Sequence, residues 1–295
     1  MRGTGEKLRT GHIVVGVDGS QHANRALRWA VHEAEVRAAT IELVYGYAIS
    51  PHYAMFGTSN RDRADAAMSE IVEHNKAVLD RIKWTATTVP VIAAAAGALL
   101  ELGEEADLIV VGSRGVGGFH ELFLGSTSYR VAAHAPTPVA VIRGGDELAF
   151  LERPGGIVVG VDPSRASARA LWWALDEAER HALGVKVVHA YDRFADVPIG
   201  SAMTKRQLEQ LRHRAHADAV AFVDEALQKV DVPRDVTVQR VITGGSPAAV
   251  LLNQVGAKDL LVVGTRGRGA LGRTVFGSVS HQCLHHATGP VVVVP

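Results

Sequence analysis

Two stretches of the chain carry the same glycine spacing behind the same kind of apolar run. In the first stretch, Gly112 and Gly115 stand three positions apart, and nine residues separate Gly115 from Gly125-Ser126. In the second stretch, Gly264, Gly267 and Gly277-Ser278 repeat this spacing. An apolar strand that leads into a glycine-rich loop and then a helix suits phosphate, because glycine lets the backbone approach the anion and the helix presents its first amides. The pattern predicts two phosphate-binding loops in a tandem repeat.

The repeat extends over most of the chain. The letters IVVGVD occur at residues 13–18 and again at 157–162, and each half closes on a His-Ala pair, a proline and an apolar run. Two units of ~150 residues match the usual size of a domain. We expect one domain at residues 1–146 and another at residues 155–295. Residues 144–156 are the expected linker, because glycines, a proline and acidic residues interrupt the apolar pattern there.

Each half alternates apolar strands with amphipathic helices. The pattern predicts strands at 13–17, 41–47, 87–93, 108–111 and 139–142, and again at 157–161, 185–190, 237–242, 260–263 and 291–294. Helices are expected between them, at 61–83, 95–105, 164–181, 204–230 and 248–255 and after Ser20 and Gly125. Continuous Val, Ile and Leu runs are typical of parallel strands buried on both faces. We therefore predict an α/β fold of two tandem doubly wound, mostly parallel sheets with helices on both faces.

Composition and charge exclude several classes of function. The 31 basic and 31 acidic residues balance, and no long basic stripe appears, so nucleic acid is not an expected partner. The apolar runs are too short to span a bilayer, so no membrane association is expected. A single cysteine, Cys283, is typical of a reducing compartment. A first strand that begins at Ile13 leaves no room for a signal peptide, and we expect a cytoplasmic location.

An aspartate that ends the first strand, followed later by G-x-x-G-(nine residues)-G-[S/T], resembles the ATP-binding pattern of the universal stress protein family. Over residues 10–295 the chain looks like the two-domain members of that family. The resemblance implies a five-stranded sheet in each half, in the adenine-nucleotide α-hydrolase-like fold. It implies ATP or ADP as cofactor, with Mg²⁺ carried by the nucleotide. It also implies that strands 139–142 and 291–294 pair, which makes the two halves an internal pseudo-dimer; a homodimer of the whole chain stays open.

The resemblance assigns the site residues of each half. Asp18 and Asp162 would approach the ribose or a metal ion bound to the nucleotide, and the backbone at Val44 and Val188 would meet the adenine. The other nucleotide-binding residues of the first half would be Gly16, Gly112, Ser113, Arg114, Gly115, Gly125, Ser126 and Thr127. Those of the second half would be Gly160, Gly264, Thr265, Arg266, Gly267, Arg268, Gly277, Ser278 and Val279. No residue is assigned a catalytic role.

The two loops differ in charge. The second loop carries Arg266, Arg268 and Arg273, whereas the first carries Arg114 and places Glu121 where the second has Arg273. A carboxylate beside a polyphosphate opposes binding, so the two sites are expected to be unequal.

Each of these interpretations has a structural alternative. The glycine loops could be tight turns without a ligand, and Asp18 and Asp162 could cap the helices that follow them. His281, His285 and His286 lie on one expected helix, and His281 and His285 stand four apart, which is the spacing of some metal pairs, but the sequence offers no further ligand to complete a zinc site.

Missing motifs favour a binding protein over an efficient catalyst. The chain has no phosphate-binding loop with its lysine, no dinucleotide fingerprint, no nucleophile elbow and no Cys-x-x-Cys. The leading hypothesis is an ATP-binding regulatory protein of the stress or growth-state response, a role that comes from the resemblance. The alternatives are a slow ATP hydrolase or autophosphorylating protein, and a structural interaction protein that binds no nucleotide.

Overall fold

The structure is a computed structural model that describes residues 11–46, 60–81, 84–89, 95–115, 124–143, 154–192, 204–256, 258–267 and 276–295. The chain divides into two compact units. Unit 1 comprises the described residues up to Ile142, and unit 2 comprises Arg143 and the described residues from Pro154 onward. Most of the linker expected at 144–156 lies outside the described residues, and the domain boundaries stay a prediction.

Unit 1 alternates strands and helices along the chain. Its elements are β1 (His12–Val17), α1 (Gln21–Arg37), β2 (Thr40–Gly46), α2 (Asn60–Leu79), β3 (Trp84–Val89), α3 (Ala95–Leu102), β4 (Leu108–Gly112), α4 (Ser126–His134) and β5 (Val139–Ile142). The strands are ordered β3-β2-β1-β4-β5 in the sheet, and each of these pairs is parallel. The strand order changes direction at β1, because β2 and β3 lie on one side of β1 while β4 and β5 lie on the other.

Unit 2 repeats this plan. Its elements are β6 (Ile157–Gly160), α5 (Arg165–His181), β7 (Val185–Tyr191), α6 (Lys205–Gln228), β8 (Val238–Gly244), α7 (Pro247–Gln254), β9 (Leu260–Gly264), α8 (Ser278–His286) and β10 (Val291–Val294). The strands are ordered β10-β9-β6-β7-β8, again with parallel pairing. The predicted α/β fold with tandem parallel sheets is confirmed.

The boundaries of some elements differ from those expected. β3 begins at Trp84 rather than Thr87, because the register with β2 starts with Ile41 opposite Trp84; residues 90–93 of that predicted strand lie outside the described residues. α2 ends at Leu79 and not at Lys83. β8 continues to Gly244 because β7 extends to Tyr191 and pairs with it. For β3 and β8, pairing with the neighbouring strand, and not local propensity, decides where the strand begins or ends.

The cores consist of these apolar strands. All five residues of β4 and all four of β10 are buried, as the predicted continuous Val, Ile and Leu runs require. α1 and α5 begin at serine caps and end at Ala38 and Ala182, which adopt the left-handed conformation with φ of 49° and 50°. Among the described residues, no helix combines the length and the apolarity that a membrane span requires.

Cys283 is expected to resist thiol reagents in the folded protein. It lies on α8 with no exposed surface, and burial raises the pKa of its thiol to about 12. The thiolate is the reactive species, and at pH 8 only about one thiol in ten thousand would be ionised. Ellman's reagent should therefore leave the native protein unlabelled and label one thiol per chain after unfolding in guanidinium. Stoichiometric labelling of the native protein within minutes would contradict the burial.

Candidate functional site

The predicted loops and aspartates meet at the carboxyl edge of each sheet. β1 and β4 are neighbouring parallel strands, so Asp18, which follows β1, lies beside the loop that follows β4. In unit 2, β6 and β9 place Asp162 beside the loop after Gly264 in the same way. In both sheets the first strand is the point where the strand order reverses, which is where open α/β sheets bind ligands.

Each aspartate packs against the second glycine of its loop. In unit 2, Oδ1 of Asp162 accepts the backbone N–H of Ser164 at 3.0 Å. A Cβ atom at Gly267 would lie 2.6 Å from Oδ2 of the same carboxylate. In unit 1, Ser20 N–H donates to Asp18 Oδ1 at 2.9 Å, and a Cβ at Gly115 would collide with Asp18 Oδ2. The second glycine is therefore the residue that leaves room for the carboxylate.

The alternative in which the aspartates cap the helices is wrong. The N-caps of α1 and α5 are Ser20 and Ser164, whose hydroxyl oxygens each accept a backbone N–H from the first turn at 3.1 Å. The Ser164 hydroxyl also donates to the carbonyl of Arg266 in the glycine loop, at 3.1 Å. The serine thus fixes the helix start to the loop, and the aspartate turns toward the second glycine.

The first glycine of each motif is required by packing. A Cβ at Gly112 would lie 2.6 Å from the carbonyl carbon of His22, and a Cβ at Gly264 would lie 2.7 Å from that of Ala166. Both contacts are with the backbone of the first turn of a helix, which cannot rotate away. The close approach of strand end and helix start at this edge therefore needs glycine whether or not a ligand binds.

The Gly-Ser pairs begin helices α4 and α8. Gly125 and Gly277 are the N-caps, with extended backbone and no side-chain cap. Their own N–H groups donate to the carbonyls of Ser113 and Thr265 at 2.8 Å. The first amides of the helix body belong to Ser126 and Thr127 in unit 1 and to Ser278 and Val279 in unit 2. Such amides have no partner within their helix and form an anion site.

In unit 2 these groups border a half-open cleft with a cavity volume of about 100 Å³. The predicted site residues that line the cleft are Gly160, Asp162, Val188, Gly264, Arg266, Gly267 and Val279. The lining residues that the sequence did not indicate are Val161, Ser167, Ala190, Pro247, Leu251, Val263 and Ser280. Ser128 and the equivalent Ser280 donate their hydroxyls to the carbonyls of Gly112 and Gly264.

Other predicted site residues have packing roles. A Cβ at Gly16 would press on Leu99 of α3 at 3.1 Å, and a Cβ at Gly160 on Leu251 of α7 at 2.9 Å. Ser113 and Thr265 are buried, and the Thr265 amide donates to the carbonyl of Val294 at 2.8 Å. These residues shape the floor of each site through the sheet and the helices packed on it.

On the second strand of unit 2, the geometry favours Ala190 over Val188 as the residue whose backbone is open to a ligand in the cleft. The carbonyl of Val188 already accepts the amide of Val161 at 2.9 Å, and Val188 stands opposite Gly160, the last residue of β6. Backbone groups of residues two positions apart point to the same side of a strand. The backbone N–H and C=O of Ala190 therefore point, like those of Val188, toward the β6 side, where β6 has already ended. In unit 1 the equivalent position is Gly46 rather than the buried Val44, because β1 ends opposite Tyr45.

Two of the charged residues of the glycine loops, Arg114 and Arg266, lie within the described residues. Arg266 is exposed and lines the cleft of unit 2, while Arg114 of unit 1 is half-buried. Arg268, Arg273 and Glu121, on which the expected inequality of the two sites also depends, lie outside the described residues. That inequality stays a prediction.

His281 and His285 lie close together on α8, with ring centroids 4.3 Å apart. Burial, aided by the neighbouring charge of His281, holds the pKa of His285 below its usual value. Within the described residues, no third histidine, cysteine or carboxylate brings a ligand atom within reach of this pair. The zinc hypothesis therefore gains no support from the structure.

Comparison with known proteins identifies relatives along the whole chain. The model of the universal stress protein family matches residues 10–143 and again residues 156–295. A universal stress protein of Mycolicibacterium smegmatis is 32% identical over 291 residues, which cover 96% of each chain. Another, of Mycobacterium tuberculosis strain H37Rv, is 31% identical over 294 residues and 95% of each chain.

A solved structure extends the likeness to the fold. A universal stress protein of Archaeoglobus fulgidus aligns over 97% of this chain and 98% of its own, with a TM-score of 0.65 and 17% identity. The double match of the family model carries the assignment. The chain belongs to the universal stress protein family and contains two of its domains in tandem.

Proposed function

We propose that this chain is an ATP-binding regulatory protein with one nucleotide site in each unit. The observation that carries the proposal is the convergence, at one sheet edge of unit 2, of an aspartate, a glycine loop and the open start of α8 around a single cleft. Unit 1 repeats the aspartate, the loop and the helix start.

The base would lie in the apolar part of the cleft. Val188, Pro247 and Leu251 offer an apolar wall, and the backbone of Ala190 lies beside it at the end of the sheet. A planar ring can pack on such a wall while one edge of the ring bonds to the strand backbone, which is the balance typical of small-molecule sites. Adenine fits this description because its hydrogen-bonding edge needs one donor and one acceptor, and a strand backbone offers both.

The aspartate and the helix start suit the polar parts of a nucleotide. Asp162 would accept hydrogen bonds from the ribose hydroxyls, or would reach a Mg²⁺ ion held by the phosphates; Asp18 would do the same in unit 1. The first amides of α8 and the guanidinium of Arg266 would bind the phosphates. These residues fit a nucleotide chemically, since the charged side chains that line the described cleft are Asp162 and Arg266, and the first backbone amides of α8 lie beside it.

The residues favour binding over turnover. The Asp162 carboxylate already accepts the Ser164 amide, and the Ser280 hydroxyl donates to the Gly264 carbonyl. Both side chains therefore already form hydrogen bonds that hold the local backbone. A slow ATP hydrolase or autophosphorylating protein is the second candidate function, since a nucleotide-bound metal beside Asp162 would permit slow transfer to water. The third is an interaction protein whose loops bind no nucleotide. Regulation through nucleotide-dependent partners, a cytoplasmic location and the pairing of the two terminal strands remain parts of the proposal.

Mass spectrometry and calorimetry together test the function. Gently purified protein should release ATP or ADP on denaturation, and stripped protein should bind ATP in calorimetry. Linear production of ADP over hours would favour the hydrolase instead. If the purified protein carries no nucleotide and shows no heat of binding with ATP or ADP, the interaction protein without a nucleotide is the remaining candidate.

Asp162→Asn tests the proposed metal contact. The amide oxygen can still accept the Ser164 N–H, so the turn should persist, but the charge is lost. We expect weaker binding of Mg²⁺-ATP and little change for ATP in the presence of a chelator. The matched variant Asp18→Asn should act on the first site alone. An equal loss with and without Mg²⁺ would assign the aspartates to the ribose.

We expect the second site to bind ATP about tenfold more tightly than the first, which corresponds to about 1.4 kcal/mol. One charge-assisted hydrogen bond between an arginine of the second loop and a phosphate would account for this difference. Titration of two variants, each with one site blocked, should give the two affinities, and salt should weaken the second site more. Equal affinities, or tighter binding by unit 1, would mean that the arginines do not contact the phosphates.

A further inference from the structure

The outer side of α5 carries an exposed tryptophan between opposite charges. Trp172 is 49% exposed, which is unusual for so large an apolar side chain. Arg165 and Arg169 precede it on the same side of the helix, and Asp176 and Glu179 follow it there; all four are exposed. We call these five residues the α5 face.

The charges of the α5 face are largely available to a partner. In the part of the chain that the structure describes, neither arginine of the face forms an ion pair, and the carboxylate of Glu179 has no side-chain partner. Asp176 pairs with Arg180 at 2.6 Å but remains half-exposed. An exposed tryptophan flanked by arginines has the composition of interaction hot spots.

The order of these residues makes the face complementary to itself. Arg165 and Glu179 each stand seven positions from Trp172, on opposite sides, and Arg169 and Asp176 stand three and four positions away. If a second α5 lies antiparallel across a two-fold axis at Trp172, each basic residue faces an acidic residue of the partner. At 1.5 Å per residue, Arg165 and Glu179 both lie about 10.5 Å from the axis.

The equivalent helix of unit 1 lacks this arrangement. In α1, the positions of Arg165 and Trp172 are taken by Gln21 and Arg28, and that of Asp176 by His32. Glu35, the counterpart of Glu179, is paired with Arg81 at 3.0 Å. The α5 face is therefore a property of unit 2 and not of the repeated fold.

We propose that the α5 face is a homodimer interface, with a second copy of this chain bound through antiparallel α5 helices. The two Trp172 side chains pack on each other at the axis, and Arg165 and Arg169 of each copy face Glu179 and Asp176 of the other. Such an isologous contact uses every residue of the face twice. It closes the assembly at two copies.

The expected dimer is weak. A helix pair of this length is about 25 Å long and would bury on the order of 800 Å² in total, which is below the size of stable interfaces. Association is therefore expected in the range of tens of micromolar. Because the outer charge pairs stay exposed to solvent, salt should weaken the dimer.

Sedimentation equilibrium of the full chain tests the interface over concentrations up to several hundred micromolar. The wild type should dimerise reversibly. Trp172→Arg, which introduces the residue that α1 carries at this position, should weaken the dimer about a hundredfold, because the contact between the two tryptophans is lost and two like charges meet at the axis. Circular dichroism and calorimetric melting confirm that each variant is folded.

Charge reversal gives the matched control. Arg165→Glu and Glu179→Arg should each weaken the dimer about fivefold to tenfold, because each substitution places like charges opposite one another twice. The double variant Arg165→Glu/Glu179→Arg restores opposite charges and should return to the wild-type affinity. A dimer that persists in Trp172→Arg, a double variant no stronger than the single ones, or a monomer at every concentration would overturn the proposal.

Discussion

Gly267→Ala is expected to lower the ATP affinity of the second site by at least about tenfold while the protein stays folded. The reason is the carboxylate of Asp162, whose Oδ2 would lie 2.6 Å from the new methyl group. Asp162 ends a short side chain, so it can turn away at small cost to the fold. In doing so it gives up its Ser164 contact and its place beside the cleft. Calorimetric titration with ATP measures the effect.

The matched variants separate the local effect from a general one. Gly115→Ala should act in the same way on Asp18 and on the first site alone, because its Cβ would meet that carboxylate. The double variant should be folded and should bind no ATP at either site. Unchanged affinity in the double variant would mean that the aspartate–glycine contact has no part in nucleotide binding.

The reason for this expectation differs from the one that the sequence suggests. Glycine at these positions could allow a positive φ, yet among the described glycines the left-handed region is occupied by Gly19 and Gly245. Gly115 and Gly267 are not among the described glycines with a positive φ. What excludes a side chain is the aspartate that follows a strand about a hundred residues earlier in the chain. No local pattern in the sequence reveals that contact.

The fold was largely predictable because its signal is repeated. Continuous apolar runs, alternation with helices and two copies of IVVGVD fix a parallel sheet in each half. The polar part of the site was predictable for the same reason, since Asp162, Gly264 and Gly267 stand at strand ends. The start of α1 after Ser20 was also predictable, because serine is a residue type that favours the N-cap.

The apolar part of the cleft was not predictable in this way. Ala190, Pro247 and Leu251 are ordinary core-type residues, and nothing in the sequence distinguishes an apolar side chain that lines a cleft from one that fills a core. The register of β6 against β7 decides that Ala190, and not Val188, lies past the end of the neighbouring strand. Register depends on pairing between distant segments, which a single sequence does not show.

Gly264→Ala is expected to destabilise unit 2 in the absence of any nucleotide. A Cβ atom there would lie 2.7 Å from the carbonyl carbon of Ala166 and 2.9 Å from the amide nitrogen of Ser167. Both atoms belong to the backbone of the first turn of α5, which is held by the Ser164 cap and by packing against β9. The helix must therefore shift as a whole, and overpacking of this kind costs about 1–3 kcal/mol.

Gly97→Ala is the control, because a Cβ at Gly97 would meet no atom within 4 Å and the residue lies inside α3. That substitution should be neutral or should stabilise unit 1 by up to about 1 kcal/mol, since alanine favours the helix. Urea unfolding of nucleotide-free protein, with unchanged m-values, measures both free energies of unfolding. If Gly264→Ala were as stable as the wild type but failed to bind ATP, the first glycine of the motif would serve the ligand alone. A loss of stability in nucleotide-free protein would instead explain why the glycine motif begins at the end of β9. The start of α5, which places Ser164 beside the loop, can approach β9 only where the strand residue has no side chain.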